Sequence, residues 1–281
     1  MRALILGSNE SFELAELPAP EGGELVRVLA CGLCGSDVEK IGNAAAGTVL
    51  GHEVAAELPD GRRVALVHHL PCGECERCRS GHESTCDHFG AATIEPGGFA
   101  EHVVARGGWV VLPDGVETAV GTYIEPLACV LRGAERVPRG EVLVLGGGFV
   151  GSLFAAVLRH RGDTVFVRDL DPARNGPEPA GPVGAVVLCA SGAGRDALEA
   201  AAPAGTVLVF ADPGPIDLRD VYRRELTILG SRSATPRHME KAARLLPALD
   251  VPEPAIYPLA EFEHGLDAYT SGQAVKVVFT P

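Results

Sequence analysis

Short apolar segments separated by glycine- and proline-rich turns fill the first part of the chain. This pattern is typical of β-strands, because strands are short and are bounded by turn-forming residues. The predicted strands are Arg2 to Leu6, Leu25 to Leu29, Arg63 to Val67, Glu101 to Val104 and Trp109 to Leu112. We therefore expect an all-β region and place a first domain over residues 1–118.

The pattern changes near Pro113, where longer helical segments begin with Gly121 to Val137. From Glu141 onward, strands and helices alternate, and the strands are almost continuously apolar. The predicted elements are strands Val142 to Leu145, Thr164 to Val167, Ala185 to Cys189, Thr206 to Phe210 and Leu226 to Leu229, with helices Ser152 to His160 and Arg237 to Leu246. Such alternation predicts an α/β domain with a doubly wound parallel sheet. We place it over residues 119–251, before a final segment over residues 252–281.

Composition restricts the class of protein and its partners. The chain has 281 residues, of which 46% are hydrophobic and 22% charged, the balance of a globular protein. Its formal net charge of −13 argues against nucleic acid and anionic membranes as partners. The sequence contains neither an apolar run of about 20 residues, as a membrane helix requires, nor a signal-peptide pattern. The expected location is the cytoplasm.

A glycine-rich motif follows one predicted strand and precedes a predicted helix. Residues 146–151 read Gly-Gly-Gly-Phe-Val-Gly and fit G-x-G-x-x-G, whose glycines let the backbone approach a pyrophosphate. The match alone is weak, but Asp169 lies 18 residues after Gly151, where a ribose-binding acid is expected. The alternative is a glycine-rich turn with a surface acid.

The predicted dinucleotide-binding residues are Gly146, Gly148, Phe149, Val150, Gly151, Asp169 and Arg174. A carboxylate at position 169 accepts hydrogen bonds from the ribose hydroxyls and repels a 2′-phosphate, which favours NAD. Arg168 and Arg174 lie close enough in sequence to weaken that repulsion, so NADP is the alternative.

Four cysteines are spaced as C-x2-C-x2-C-x7-C. They are Cys72, Cys75, Cys78 and Cys86. Four thiolates satisfy a tetrahedral zinc ion completely, so this spacing predicts a structural zinc site. An iron–sulfur cluster is one alternative and disulfides are another. The remaining cysteines near apolar residues, Cys31, Cys129 and Cys189, are interpreted as small buried side chains.

Six motifs occur in an order that resembles one known family. They are Cys31-Gly32-Leu33-Cys34-Gly35-Ser36-Asp37, Gly51-His52-Glu53, the four-cysteine segment, Gly97-Gly98-Phe99-Ala100-Glu101, Glu125-Pro126-Leu127-Ala128 and the glycine motif. Together they resemble the zinc-dependent medium-chain dehydrogenase/reductase family, and within it the branch of sorbitol and threonine dehydrogenases. The resemblance implies a GroES-like β-rich catalytic domain, completed by the C-terminal segment, and a Rossmann coenzyme domain.

The resemblance also implies a catalytic zinc site. Cys34, His52 and Glu125 correspond to zinc ligands, and Glu53 is either the remaining ligand or a carboxylate beside the metal. A thiolate, an imidazole and a carboxylate leave one position open for an alcohol oxygen. For either glutamate the alternative is an ordinary salt-bridged carboxylate.

Two further residues receive roles by resemblance. Ser36 would pass the proton of the substrate hydroxyl onward, and Asp37 would orient the zinc-binding histidine. A Ser-Asp pair after a glycine also commonly forms a turn or a helix cap, and this remains the alternative.

The chain departs from the family pattern in three places. Glu39 stands where many relatives have a histidine, and residues 43–49 form a short segment. Between Arg174 and Ala185, where relatives have a helix and a strand, only residues 175–184 remain, and we interpret them as a loop. The lost strand is an edge strand, so we predict a five-stranded sheet with its second strand newly exposed at the edge.

These features together predict a zinc-dependent oxidoreductase that transfers a hydride between a secondary alcohol, polyol or cyclitol and NAD. The expected cofactors are NAD and two zinc ions, and the expected partner is an alcohol, polyol or ketone of low molecular mass. An NADP-dependent carbonyl reductase of biosynthesis is one alternative, and a non-catalytic protein that binds zinc or dinucleotide is another. A homodimer or homotetramer is expected, with residues 275–279 and 226–229 as candidate pairing strands.

Overall fold

The computed structural model describes residues 1–7, 11–90 and 93–281. Its strands are β1 (Arg2–Leu6), β2 (Phe12–Glu16), β3 (Leu25–Gly32), β4 (Glu53–Glu57), β5 (Arg63–Leu66), β6 (Ile94–Glu95), β7 (His102–Ala105), β8 (Trp109–Val111), β9 (Glu141–Leu145), β10 (Thr164–Arg168), β11 (Val183–Leu188), β12 (Ala201–Val209), β13 (Thr227–Gly230), β14 (Ala255–Pro258) and β15 (Val277–Thr280). Its helices are α1 (Gly35–Lys40), α2 (Glu76–Arg79), α3 (Thr118–Gly121), α4 (Ile124–Ala134), α5 (Phe149–His160), α6 (Gly194–Ala200), α7 (Leu218–Arg223), α8 (Pro236–Leu245) and α9 (Phe262–Thr270).

The chain divides into two compact units. The first contains Met1–Ala128, Ala234–Pro247 and Glu253–Pro281, and the second contains Cys129–Ser233 and Ala248–Pro252. The domain limits expected from the sequence, after residues 118 and 251, stay a prediction.

The first unit is built on antiparallel β-structure. In its eight-stranded sheet, as far as the described residues show, the order is β14-β15-β3-β4-β5-β8, and β7 pairs with β3 and β6. Strand β15 pairs with β3 through Val278 opposite Gly32 and Phe279 opposite Cys31. The C-terminal strand therefore lies beside the strand that leads to Cys34. It is also paired with β14, so the sequence-based suggestion that residues 275–279 pair between subunits does not fit a strand with neighbours on both sides.

An aromatic cluster joins distant parts of the first unit. The rings of Phe99, Phe262 and Phe279 lie 4.6 to 5.6 Å apart, and all three side chains are at most 2% exposed. Rings at such distances pack edge to face or tilted, which adds to the free energy gained by burying their area. The end of the chain is thus part of the core that supports β3.

The second unit contains a five-stranded parallel sheet of order β10-β9-β11-β12-β13, as predicted. Relative to the usual order 3-2-1-4-5-6, the third strand is missing and the second, β10, is the edge. The segment predicted to be a loop to residue 184 ends earlier, because β11 begins at Val183.

The free edge of β10 is partly covered by the chain itself. We call residues 171–182 the shortened loop. Its Gly176 N–H donates to the carbonyl of Val167 at 2.9 Å, and the side-chain oxygen of Asn175 accepts from the N–H of Asp169 at 2.6 Å. The expectation of an exposed edge is therefore only partly correct, because the loop satisfies polar groups that an open edge would present to solvent.

Several elements were not predicted. They include the short strands β2, β4 and β14 and the short helices α1, α3, α6 and α7. The helix predicted over Gly121 to Val137 corresponds to α4, which begins at Ile124 and ends at Ala134. Among the helices of the described residues, none is long and apolar enough to span a bilayer.

Candidate metal centres and dinucleotide site

Asp37 joins two separate segments of the first unit. Its carboxylate accepts hydrogen bonds from the N–H of Cys34 at 3.1 Å and of Gly51 at 3.3 Å, and lies 3.2 Å from Nδ1 of His52. The contact at Nδ1 leaves Nε2 of His52 available for a metal. Burial alone lowers the pKa of His52, but the Asp37 carboxylate raises it well above its usual value. An imidazole made more basic in this way is a stronger metal ligand.

A thiol, an imidazole and a carboxylate meet beside Asp37. Ligand atoms of Cys34, His52 and Glu53 all lie within 4.8 Å of one another. The hydroxyl of Ser36 donates to the sulfur of Cys34 at 3.4 Å. We call Cys34, His52 and Glu53 the mixed-ligand cluster. Three protein ligands of these types fit zinc and leave a fourth position open, as a catalytic zinc site requires.

Sequence reasoning missed a buried lysine at this cluster. Lys276 is 1% exposed, and its ammonium donates to the carbonyl of Leu33 at 2.9 Å and to the carboxylate of Glu53. Gly32 makes room for this pair, because a Cβ there would lie 2.1 Å from Oε2 of Glu53. The signal available in the sequence was a lone lysine within an apolar final strand.

The glycine motif forms the turn between β9 and α5. Gly146 donates its N–H to the carbonyl of Arg168 at 2.8 Å, and a Cβ on Gly151 would lie only 1.7 Å from the carbonyl oxygen of Gly146. Gly148 caps α5, Phe149 is buried and Val150 is half-buried. The turn therefore needs its glycines, and the N–H groups at the start of α5 are placed as an anion site requires.

The chain holds Asp169 firmly beside this turn. Its carboxylate accepts hydrogen bonds from the N–H of Gly147 at 2.6 Å and of Asp171 at 2.8 Å. Its own N–H donates to the side chain of Asn175. Each carboxylate oxygen keeps further lone pairs, so a ribose diol could still donate to a preoriented acceptor.

The four cysteines of residues 72–86, which we call the cysteine loop, converge on one point. Their sulfur atoms lie within 4.8 Å of one another, with 4.0 Å between Cys72 and Cys78 and between Cys75 and Cys86. Zinc–sulfur bonds of about 2.3 Å give a tetrahedron with edges of about 3.8 Å, which is close to these separations. The donor set therefore fits zinc.

The thiols of the cysteine loop differ in acidity. Backbone N–H groups of Asp87 and Cys78 lower the pKa of Cys75 to about 6. Burial and the neighbouring thiols raise the pKa of Cys78 to about 12. A divalent metal bound by all four cysteines would hold them as thiolates and compensate their negative charge.

Two histidines next to the cysteine loop are packed as rings. His68 lies 4.5 Å from His52 and 4.0 Å from His69, which in turn stacks on Phe89 at 4.1 Å. Burial and the charge of His52 lower the pKa of His68 to about 2. Neither histidine belongs to a metal-binding group among the described residues, so we interpret both as packing side chains.

Comparisons with known proteins find similar alcohol and polyol dehydrogenases. The model of the alcohol dehydrogenase GroES-like domain matches residues 20–114. A sorbitol dehydrogenase of Halalkalibacterium halodurans is 29% identical over the whole chain and 99% of its own length, and a D-altritol 5-dehydrogenase of Agrobacterium fabrum is 36% identical over 57% of this chain and 56% of its own. A zinc-binding dehydrogenase of Sinorhizobium meliloti bound to NADP shares 26% identity with a TM-score of 0.84, covering the whole chain and 99% of its own. Over its whole length the chain is therefore similar to zinc-binding and polyol dehydrogenases.

A more distant protein shares the fold. Acetophenone reductase from Geotrichum candidum, solved in complex with NAD, has a TM-score of 0.87 at 20% identity, over the whole chain and 97% of its own. The alignment with the sorbitol dehydrogenase extends over 341 positions, more than the 281 residues of this chain. That relative therefore carries segments that this chain lacks.

Glu125 is the predicted ligand that the mixed-ligand cluster does not include. It lies on α4 in the first unit and is 7% exposed, whereas the grouped ligand atoms are those of Cys34, His52 and Glu53. Its role as a ligand stays a prediction, and so does the assignment of Ser36 to proton transfer.

Replacing Cys75 with serine is expected to remove the metal from the cysteine loop alone. Zinc per chain should fall by about one, and residues 72–86 should become sensitive to protease, because a loop of this kind relies on its metal for order. Metal analysis and limited proteolysis check this, with Cys129→Ser, outside the loop, as the control. Retention of the full zinc content by Cys75→Ser would contradict the assignment.

Proposed function

We propose that this protein is an NAD-dependent dehydrogenase of secondary alcohols, polyols or cyclitols, with one catalytic and one structural zinc ion. The mixed-ligand cluster carries the proposal, because Asp37 already holds Cys34 and His52 in place for a metal with an open position. The non-catalytic alternative is disfavoured for the same reason.

The residues of the chain have distinct parts in this chemistry. A zinc ion held by the mixed-ligand cluster would act as a Lewis acid and make a substrate hydroxyl more acidic. Asp37 fixes the orientation of His52, and Ser36 places a hydroxyl 3.4 Å from the sulfur of Cys34, where it can accept and pass on a proton. Lys276 holds the Glu53 carboxylate at the cluster.

The choice of NAD is supported by Asp169. A carboxylate fixed by two backbone N–H groups accepts hydrogen bonds from the ribose hydroxyls and repels a 2′-phosphate. The substrate class is supported by the relatives, which include sorbitol, D-altritol and L-threonine dehydrogenases. These substrates are secondary alcohols with neighbouring polar groups.

Steady-state kinetics with a panel of secondary alcohols, polyols and cyclitols tests the proposal. We expect turnover with zinc present, and kcat/KM for NAD at least about tenfold above that for NADP, which corresponds to about 1.4 kcal/mol. A clear preference for NADP together with faster ketone reduction would support a carbonyl reductase instead. The proposed enzymatic function would be refuted if the zinc-loaded protein turned over no member of the panel in either direction.

A further inference from the structure

Arg168 and Arg174 lie close to Asp169 in sequence, and each forms an ion pair with an acid of the shortened loop. Arg174 Nε lies 3.3 Å from the carboxylate of Asp171, and Arg168 Nη2 lies 2.7 Å from that of Glu178. Arginine near the ribose-binding acid is the usual means of accommodating a 2′-phosphate. In this chain the shortened loop supplies Arg174 and also Asp171, the acid that pairs with it.

Arg174 is placed against the dinucleotide turn itself. Its Cβ lies 3.0 Å from the position that a Cβ on Gly147 would take, and the N–H of Gly147 binds the carboxylate of Asp169. The guanidinium is about one quarter exposed, so it is within reach of solvent and of a ligand at the turn. Arg168 directly precedes Asp169 and is also influenced by the charge of Asp196.

The local charge balance explains why two arginines do not favour a phosphate. Arg168 and Arg174 carry two positive charges, which Glu178 and Asp171 cancel, and the negative charge of Asp169 remains. A 2′-phosphate would meet this carboxylate at short range and would have to displace at least one ion pair. Exposed ion pairs are individually weak. We therefore expect Asp169, Asp171 and Glu178 to exclude the 2′-phosphate together.

We propose that Asp171 and Glu178 are specificity-determining residues, which exclude NADP by occupying the two arginines beside Asp169. The proposal rests on the proposed dinucleotide site and deepens it, because it assigns the preference to the shortened loop as well as to Asp169. Asn175 contributes by accepting a hydrogen bond from the N–H of Asp169, which fixes the loop next to that residue.

The test compares NADH and NADPH binding by fluorescence titration, and kcat/KM for both cofactors, in Asp171→Asn, Glu178→Gln and the double variant. The double variant should gain about tenfold in kcat/KM for NADP, while the value for NAD changes less than about twofold, as expected when two acids stop competing for the arginines. Asp171→Asn should account for the larger part of the gain in kcat/KM for NADP. In Glu178→Gln, the charge of Asp196 still attracts Arg168. Adding Arg174→Ala to the double variant should abolish most of the gain.

Asp217→Asn is the matched control. It releases Arg219, paired at 2.6 Å on the same unit, and asparagine retains the cap of α7 that Asp217 provides. An unchanged ratio of NADP to NAD in the double variant, or an equal gain in the control, would overturn the proposal while leaving the dinucleotide site intact. A wild type that prefers NADPH would refute it too, whereas a wild type that binds neither cofactor would refute the proposed function itself.

Discussion

Replacing Cys34 with alanine is expected to lower kcat by about a thousandfold and the zinc content from about two ions per chain to about one. Cys34 supplies the thiolate of the mixed-ligand cluster, and its N–H binds Asp37, which also orients His52. The Lewis acid stabilises developing negative charge by several kcal/mol, and about 4 kcal/mol corresponds to the expected loss of rate. Steady-state kinetics and metal analysis by mass spectrometry measure the two effects together.

Cys31→Ala is the matched control for this variant. Cys31 is a buried thiol only three positions earlier on β3, and it belongs to no metal-binding group among the described residues. Its replacement should keep both zinc ions and most of the activity. A Cys34→Ala protein that keeps wild-type activity and zinc content would exclude the mixed-ligand cluster as the catalytic centre.

The parts of the fold that repeat a simple pattern could be predicted from the sequence. Alternating apolar strands and helices were sufficient to predict a parallel sheet. The count of five strands and the identity of the edge strand came from comparing the short segment after Arg174 with the family pattern. Short strands such as β2 and β4 were missed, because a few residues with weak alternation look like loop.

Spacing alone revealed the cysteine loop, whose four thiols are close in sequence. Cys34 with Asp37 and His52 with Glu53 were found through their resemblance to the motifs of the family. Lys276 was not found, because it lies 223 positions from Glu53 and only the pairing of β15 with β3 brings it there.

The shortened loop shows a different limit of sequence reasoning. Arg168, Arg174 and Asp169 could be placed near the dinucleotide from the motif, and both arginines were expected to soften the repulsion of a 2′-phosphate. Their partners Asp171 and Glu178 depend on how the loop folds back along β10, which no periodic pattern encodes. We therefore expect a cofactor preference opposite to the one that the arginines alone suggest.

In protein without zinc at the mixed-ligand cluster, replacing Lys276 with methionine is expected to lower the free energy of unfolding by about 3–5 kcal/mol, because removal of one partner leaves the buried Glu53 carboxylate without its cation. Lys276 and Glu53 are each at most 2% exposed as side chains. Burial alone lowers the pKa of Lys276, but the Glu53 carboxylate outweighs it and raises the pKa above its usual 10.5. A lysine whose pKa is raised in the folded protein contributes its full stabilisation below the pKa that it has in the unfolded chain. The difference in unfolding free energy between the wild type and Lys276→Met should therefore be constant between about pH 7 and 9 and should shrink only at higher pH.

A double-mutant cycle separates the charge effect from the loss of packing. Glu53→Gln leaves an unpaired buried ammonium and should also destabilise, whereas Lys276→Met combined with Glu53→Gln removes both charges and should recover much of the loss. Denaturant unfolding of the metal-free proteins measures all four corners of the cycle, because Glu53 is also a proposed zinc ligand and zinc would obscure the charge pair. Additive losses in the double variant would mean that the two groups are not coupled, and that Glu53 is held at the cluster by something other than Lys276.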